Sequence, residues 1–164
     1  MFKIQIRKLH NRGFTMMPYK SISQLEICNL EVAQKRLIKK LVDNGFKIKI
    51  VFPINERRYT IITGIQDNEE KRIFLMFKKE FFHNFGMEFR HLGATGQGDT
   101  INVEDLKTAL RLEVTDIYSV YPNGICYTIP LQDFLMKSIR WTNKEGKEVR
   151  SISIHELKRG YNLI

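Results

Sequence analysis

Residues 2–9 alternate Phe2, Ile4 and Ile6 against Lys3, Gln5 and Arg7. That period of two predicts a half-buried strand with one charged face. Asn11-Arg12-Gly13 then reads as a turn. From Asn29 the period lengthens to that of a helix. Leu30, Ala33, Leu37 and Leu41, with Ile38 offset, form an apolar stripe, and Gly45 stands where the chain must leave the helix. Lys35, Arg36, Lys39 and Lys40 fall largely on the other side and suit the helix C-terminal dipole.

Three strand-like runs follow at 46–52, 59–65 and 72–77, joined by polar segments that fit hairpin turns. Lys47 and Lys49 are expected on one face of the first run, and Arg57 and Arg58 at a turn. The spacing at 78–84 predicts a short helix closed by Gly86. Residues 87–92 read as a strand, and the next segment as a flexible glycine loop. Asn102 caps a second helix over 103–112, with Glu104 and Asp105 in its first turn. The clearest hairpin joins 116–121 to 125–129 through Pro122-Asn123-Gly124. Its strands are apolar on both faces, which predicts central positions. Pro130 opens a helix through Lys137, residues 143–146 turn, and 149–153 form a strand. Ser153 and Glu156 then make a capping box on a final helical turn. This order predicts an α+β fold: a mixed, largely antiparallel sheet with flanking helices, in a single domain over 1–164.

Composition adds two constraints. No apolar run approaches the roughly 18 residues of a membrane span, and the first ten residues lack an apolar signal core, so neither a membrane nor a secreted location is expected. The expectation is a cytoplasmic protein, in a host cell if the source is viral. Cys28 and Cys126 are too few for a disulfide framework and lack metal spacing, which fits two buried thiols. The net charge of +9 is unevenly placed. Residues 1–82, the basic half, hold 17 Lys and Arg against 8 Asp and Glu, whereas the neutral half, 83–164, holds ten of each. Abundant Ile, Lys, Asn and Phe with scarce Ala fit an AT-rich genome, but that bias does not itself confine the excess to one half. A polyanion-binding footprint does.

The densest chemistry lies in 80–99, which holds Glu80, Glu88, Asp99, His83, His91, Arg90 and four glycines, three of them in one loop. The loop offers backbone N–H groups to an anion, but it has no lysine where an ATP-binding loop needs one and no dinucleotide fingerprint. Phosphodiester cleavage at neutral pH usually needs carboxylates that hold Mg²⁺ or another divalent cation, with a nearby positive charge. Glu80, Glu88 and Asp99 are the candidate acids, Glu88 and Asp99 the candidate metal ligands, and Arg57 or Lys78 the stabilising cation. His83 and His91 are candidate general bases. The aromatics crowded over 74–89 fit a core at helical spacing or stacking on bases.

Two hairpins carry a family resemblance. Asp116 followed by the strand that ends at Pro130 and Gln132, and Asp67 followed by Met76-Phe77-Lys78, each resemble the acid–turn–acid-x-lysine hairpin of PD-(D/E)XK nucleases. Pro130 and Gln132 replace the second acid and the lysine in one, and Met76 replaces the second acid in the other. The small, basic style also resembles proteins of archaeal viruses and plasmids. The resemblance implies a metal-dependent deoxyribonuclease. Together with the charge split, it predicts DNA held by Lys35, Arg36, Lys39, Lys40, Lys47, Lys49, Arg57, Arg58 and Arg90. The alternatives are a DNA- or RNA-binding module without chemistry, and an interaction protein for an acidic partner.

Overall fold

A computed structural model of the chain describes residues 17–18, 29–54, 59–84 and 96–163. In chain order the elements are β1 (Met17–Pro18), α1 (Asn29–Asp43), β2 (Lys47–Ile54), β3 (Tyr59–Gln66), β4 (Glu69–Phe77), β5 (His83–Asn84) and β6 (Gln97–Asn102). They continue with α2 (Val103–Arg111), β7 (Asp116–Val120), β8 (Ile125–Pro130), α3 (Leu131–Lys137), β9 (Ile139–Thr142), β10 (Glu148–Ser153), a 3₁₀ turn (Ile154–Glu156) and β11 (Lys158–Asn162). The fold is α+β, mixed and largely antiparallel.

The strands form two sheets rather than the one expected. The seven-stranded sheet runs β1-β2-β3-β4-β7-β8-β11, and the four-stranded sheet runs β5-β6-β10-β9. In the larger sheet the meander β2-β3-β4 and the hairpin β7-β8 meet through a parallel pairing of β4 with β7, Ile73 beside Asp116 and Phe77 beside Val120. As expected, β7 is central and buried from Ile117 to Val120. Its turn Pro122–Gly124 is tight, with Gly124 at φ 81°. The β3–β4 hairpin turns on Asp67 and Asn68, both at positive φ, as a two-residue hairpin loop requires.

The larger sheet has two covered faces. On one, Leu37, Ile38 and Leu41 of α1 pack on Val51, Ile62, Ile73, Leu75, Tyr118, Val120 and Cys126. Leu37 and Leu41 are fully buried, each worth about 1.5–3 kcal/mol relative to an exposed side chain. Gly45, at φ 85°, ends the helix, and Phe46 N–H closes it by donating to the Leu41 carbonyl. On the other face, Tyr59, Ile61, Phe74, Ile117 and Ile129 meet Leu106, Ala109 and Leu112 of α2, Leu131 and Phe134 of α3, and Ile101 and Ile152 of the smaller sheet. Period-two alternation along β3, β4 and β7 thus feeds two cores from one sheet. At the β2 end the register shifts between Ile48 and Ile50. Ile48 and Val51 both meet the α1-side core, and Lys47 and Lys49, which flank Ile48, are both exposed.

Several expectations are corrected. Residues 78–82 form no helix: 79–81 are bends, and the segment leads into β5. Phe82 turns onto Tyr121 and Tyr127, so this segment is held by aromatic packing instead of helical hydrogen bonds. The downstream part of the glycine loop is strand β6, paired with β10. Asn102 precedes α2 without a side-chain cap. Ser153 Oγ accepts from His155 N–H at 3.3 Å, but Glu156 pairs with Lys137 at 3.1 Å, so the reciprocal half of the capping box is unmade. Strands β9 and β11 were not foreseen. The strand predicted over 2–9, the strand over 87–92 and Cys28 lie outside the described residues. Cys126 is a buried free thiol, and burial pushes its pKa up to about 12.

Among the described residues one buried side-chain group is unsatisfied. Thr63 is 2% exposed, and its hydroxyl finds no hydrogen-bond partner among the described residues. An orphaned buried hydroxyl is costly, and an apolar group of the same shape removes the cost. Thr63→Val is therefore expected to raise stability by up to ~1 kcal/mol. A urea titration that shows a loss of stability would reveal a partner for this hydroxyl.

Candidate functional site

Strand β4 ends at Phe77, and its alternation turns Lys78 toward the face covered by the smaller sheet. Neighbouring β7 presents Ser119 from that same face, and Tyr121 follows at its end. All three meet Asp99 of β6. Lys78 Nζ lies 2.8 Å from Asp99 Oδ1 and donates to the Thr100 carbonyl at 2.9 Å. Ser119 Oγ donates to Asp99 Oδ2 at 2.8 Å, and Thr100 N–H donates to Oδ1 at 2.9 Å. Tyr121 lines the same cleft as this carboxylate. Burial, then the charge of Asp99, pushes the Tyr121 pKa well above the usual tyrosine value. Asp99 is 2% exposed, so its charge is affordable only because donors surround it. The smaller sheet extends the polar network: Thr100 Oγ1 lies 2.7 Å from Ser151 Oγ, which accepts from Trp141 Nε1 at 2.7 Å.

A cleft of about 210 Å³ opens beside this cluster, lined by Lys78, Lys79, Glu80, Phe81, Asp99 and Tyr121. Phe82 packs behind the lining residue Tyr121, with its ring 4.3 Å from that of Tyr121 and 5.0 Å from that of Tyr127. Phe81 faces outward and is 64% exposed.

Three of the predicted catalytic residues, Lys78, Glu80 and Asp99, therefore line one cleft. Glu88, Arg57, Arg58 and Arg90 lie outside the described residues, as does His91. Sequence reasoning missed Ser119 and Tyr121. Ser119 is the polar residue inside an otherwise apolar strand, and that was the available signal. In the two hairpins that carry the nuclease resemblance, Asp67 sits in the turn at the far end of β4 from Lys78. Asp116 lies opposite Pro130 at the start of β7 and accepts from Thr115 Oγ1 at 2.8 Å. Neither aspartate is at the Lys78–Asp99 end of its strand.

A divalent cation fits Asp99 poorly. Both oxygens already accept from Lys78, Ser119 or Thr100, and a cation would displace the lysine. Among the described residues no three His, Cys, Asp or Glu side chains are grouped as metal ligands.

Those predicted nucleic-acid contacts that fall among the described residues lie elsewhere. Lys35, Arg36, Lys39 and Lys40 are exposed on α1, and Lys47 and Lys49 on β2. Arg36 also ties α1 to the end of the described chain, donating from Nη1 to the Leu163 carbonyl at 3.1 Å. Helix α1 covers one face of the larger sheet, and the Asp99 cluster occupies the other. No family model matches the chain, and neither a curated protein nor a solved structure is found to be similar to it.

Proposed function

We propose that the protein binds nucleic acid, with DNA as its partner. The observation that carries this reading is the outer side of α1, where Lys35, Lys39 and Lys40 are exposed while Leu37, Ile38 and Leu41 anchor the helix to the sheet. A cationic helix held rigidly by its apolar stripe presents charge to phosphates without reorganising. Exposed Lys47 and Lys49 add to the same basic half. Each phosphate neutralised releases counterions, so duplex binding is expected to weaken by orders of magnitude between about 50 and 200 mM salt. The triple replacement Lys35→Gln, Lys39→Gln, Lys40→Gln is expected to lower the log–log salt slope by about 2–3 and to change stability by less than ~0.5 kcal/mol per site. Binding that is insensitive to salt, or an unchanged slope in the variant, would contradict this assignment.

Phosphodiester hydrolysis is the second reading, favoured by Lys78, Glu80 and Asp99 lining one cleft. Glu80 is the exposed acid there and the candidate to activate a water. Incubation of linear and circular DNA with Mg²⁺ and with EDTA tests it. Cleavage that EDTA abolishes supports a metal-dependent nuclease, and intact DNA under both conditions leaves a binding protein.

A further inference from the structure

We infer that the cleft beside Lys78 holds the base of an unpaired nucleotide in single-stranded DNA. This rests on the nucleic-acid reading above and names what a second part of the surface would take. Four observations carry it.

The first is charge. Lys78 and Lys79 are matched by Glu80 and Asp99 in the lining, so the cleft has no excess positive charge to favour a phosphate. A neutral group that carries both donors and acceptors suits it better. The second is the set of hydrogen-bonding groups. Of the three N–H donors of a lysine ammonium, Lys78 commits two, to Asp99 and to the Thr100 carbonyl. The third has no partner among the described residues. Exposed Glu80 supplies acceptors on the same lining. An unpaired base offers the matching mixture along its Watson–Crick edge.

The third observation is the aromatic wall. Phe82 is fixed by Tyr121 and Tyr127, which sets the adjoining Phe81 at the cleft with 64% of its surface exposed. A large aromatic left in water beside a polar recess is a platform for a π-faced ligand, and bases stack on such platforms with little sequence preference. The fourth is size. At about 210 Å³ the recess is smaller than the roughly 300–1,000 Å³ typical of pockets for drug-sized ligands, so its size suits one small group such as a single base. A duplex keeps its bases inside the stack and cannot offer one without extrusion. Single-stranded DNA can.

The test uses the full chain, with fluorescence anisotropy on a labelled single strand and on a labelled hairpin duplex at one salt concentration. Phe81→Ala is expected to weaken single-strand binding by about 5- to 150-fold, the range that one stacked base carries, while duplex binding stays within about 2-fold. Phe81→Tyr is expected to restore the single-strand affinity. Because Phe81 is exposed, the variant is expected to keep the parent melting temperature. In two-dimensional NMR, adenosine is expected to shift the amides of residues 79–82 and Tyr121, and inorganic phosphate is not. Unchanged single-strand affinity in Phe81→Ala would overturn the inference, as would cleft shifts with phosphate but not with adenosine. If the parent protein binds neither single strand nor duplex, the nucleic-acid reading itself fails. If it binds duplex in a salt-dependent manner and Phe81→Ala changes nothing, only the cleft assignment fails.

Discussion

Replacing Asp99 by Ala is expected to cost about 3–5 kcal/mol of stability, the usual loss when one partner of a buried ion pair is removed. Asp99 is 2% exposed and Lys78 is 15% exposed at the side chain, so the lysine can recover only part of its hydration. Ser119 and the Thr100 N–H would lose their common acceptor at the same time. These donors come from both sheets, and the carboxylate is the point at which β4, β6 and β7 are tied together. Lys78→Met is expected to cost less, because the carboxylate keeps its other donors and the lysine site is nearer to water. Urea unfolding of the two variants measures both effects. An Asp99→Ala loss below about 1 kcal/mol, the range of an exposed pair, would mean that the cluster does not hold the sheets. The result also governs how any lost nuclease activity in an Asp99 variant is read, since activity must then be compared per folded molecule.

The second large effect is expected at Gly64. A Cβ built there would stand 2.3 Å from Phe46 Cε1 and 2.4 Å from the Lys47 carbonyl oxygen. The ring can move only by leaving the α1-side core, where Phe46 is 2% exposed, and the carbonyl belongs to the backbone of β2. Gly64 pairs with Ile48 just before the register shift, so this glycine permits the close approach at which β2 bends. Gly64→Ala is expected to destabilise by at least the ~1–3 kcal/mol of an overpacked core, and to accelerate amide exchange in β2 more than in β7. Equal exchange protection in both strands would show that β2 accommodates the methyl group.

The parts of the fold that were legible in the sequence are those whose cause is local. Pro122-Asn123-Gly124 defines its hairpin by turn chemistry, and the stripes of α1 and α2 define those helices by periodicity. What was not legible depends on distant partners. Nothing near Ile73 indicates that it will lie parallel to Asp116, and no local pattern divides the strands between two sheets. Strands β9 and β11 are short and mostly exposed, so they carry little alternation. The segment 97–100 reads as loop because of its glycines, yet Gly98 and Asp99 are buried and their pairing with β10 decides the matter. The site follows the same division. Lys78, Glu80 and Asp99 could be nominated by type and proximity in sequence, whereas Ser119 and Tyr121 join them only through the β4–β7 pairing.

That parallel pairing also orders events in time as the chain is made. The meander β2-β3-β4 has only near neighbours in sequence to find, and contacts of that kind close quickly. The cleft cannot form with it. One wall leaves β4 at Lys78, the buried acid arrives with β6, and Tyr121 comes only after β7, so more than forty residues must emerge before the three can meet. Until then the face of the meander that carries Tyr59, Ile61 and Phe74 is an apolar surface without its cover, because α2, α3 and the smaller sheet are all encoded downstream. A nascent chain that stops near residue 82 therefore exposes this face to other chains, and chaperone binding or aggregation is the expected fate of such a product.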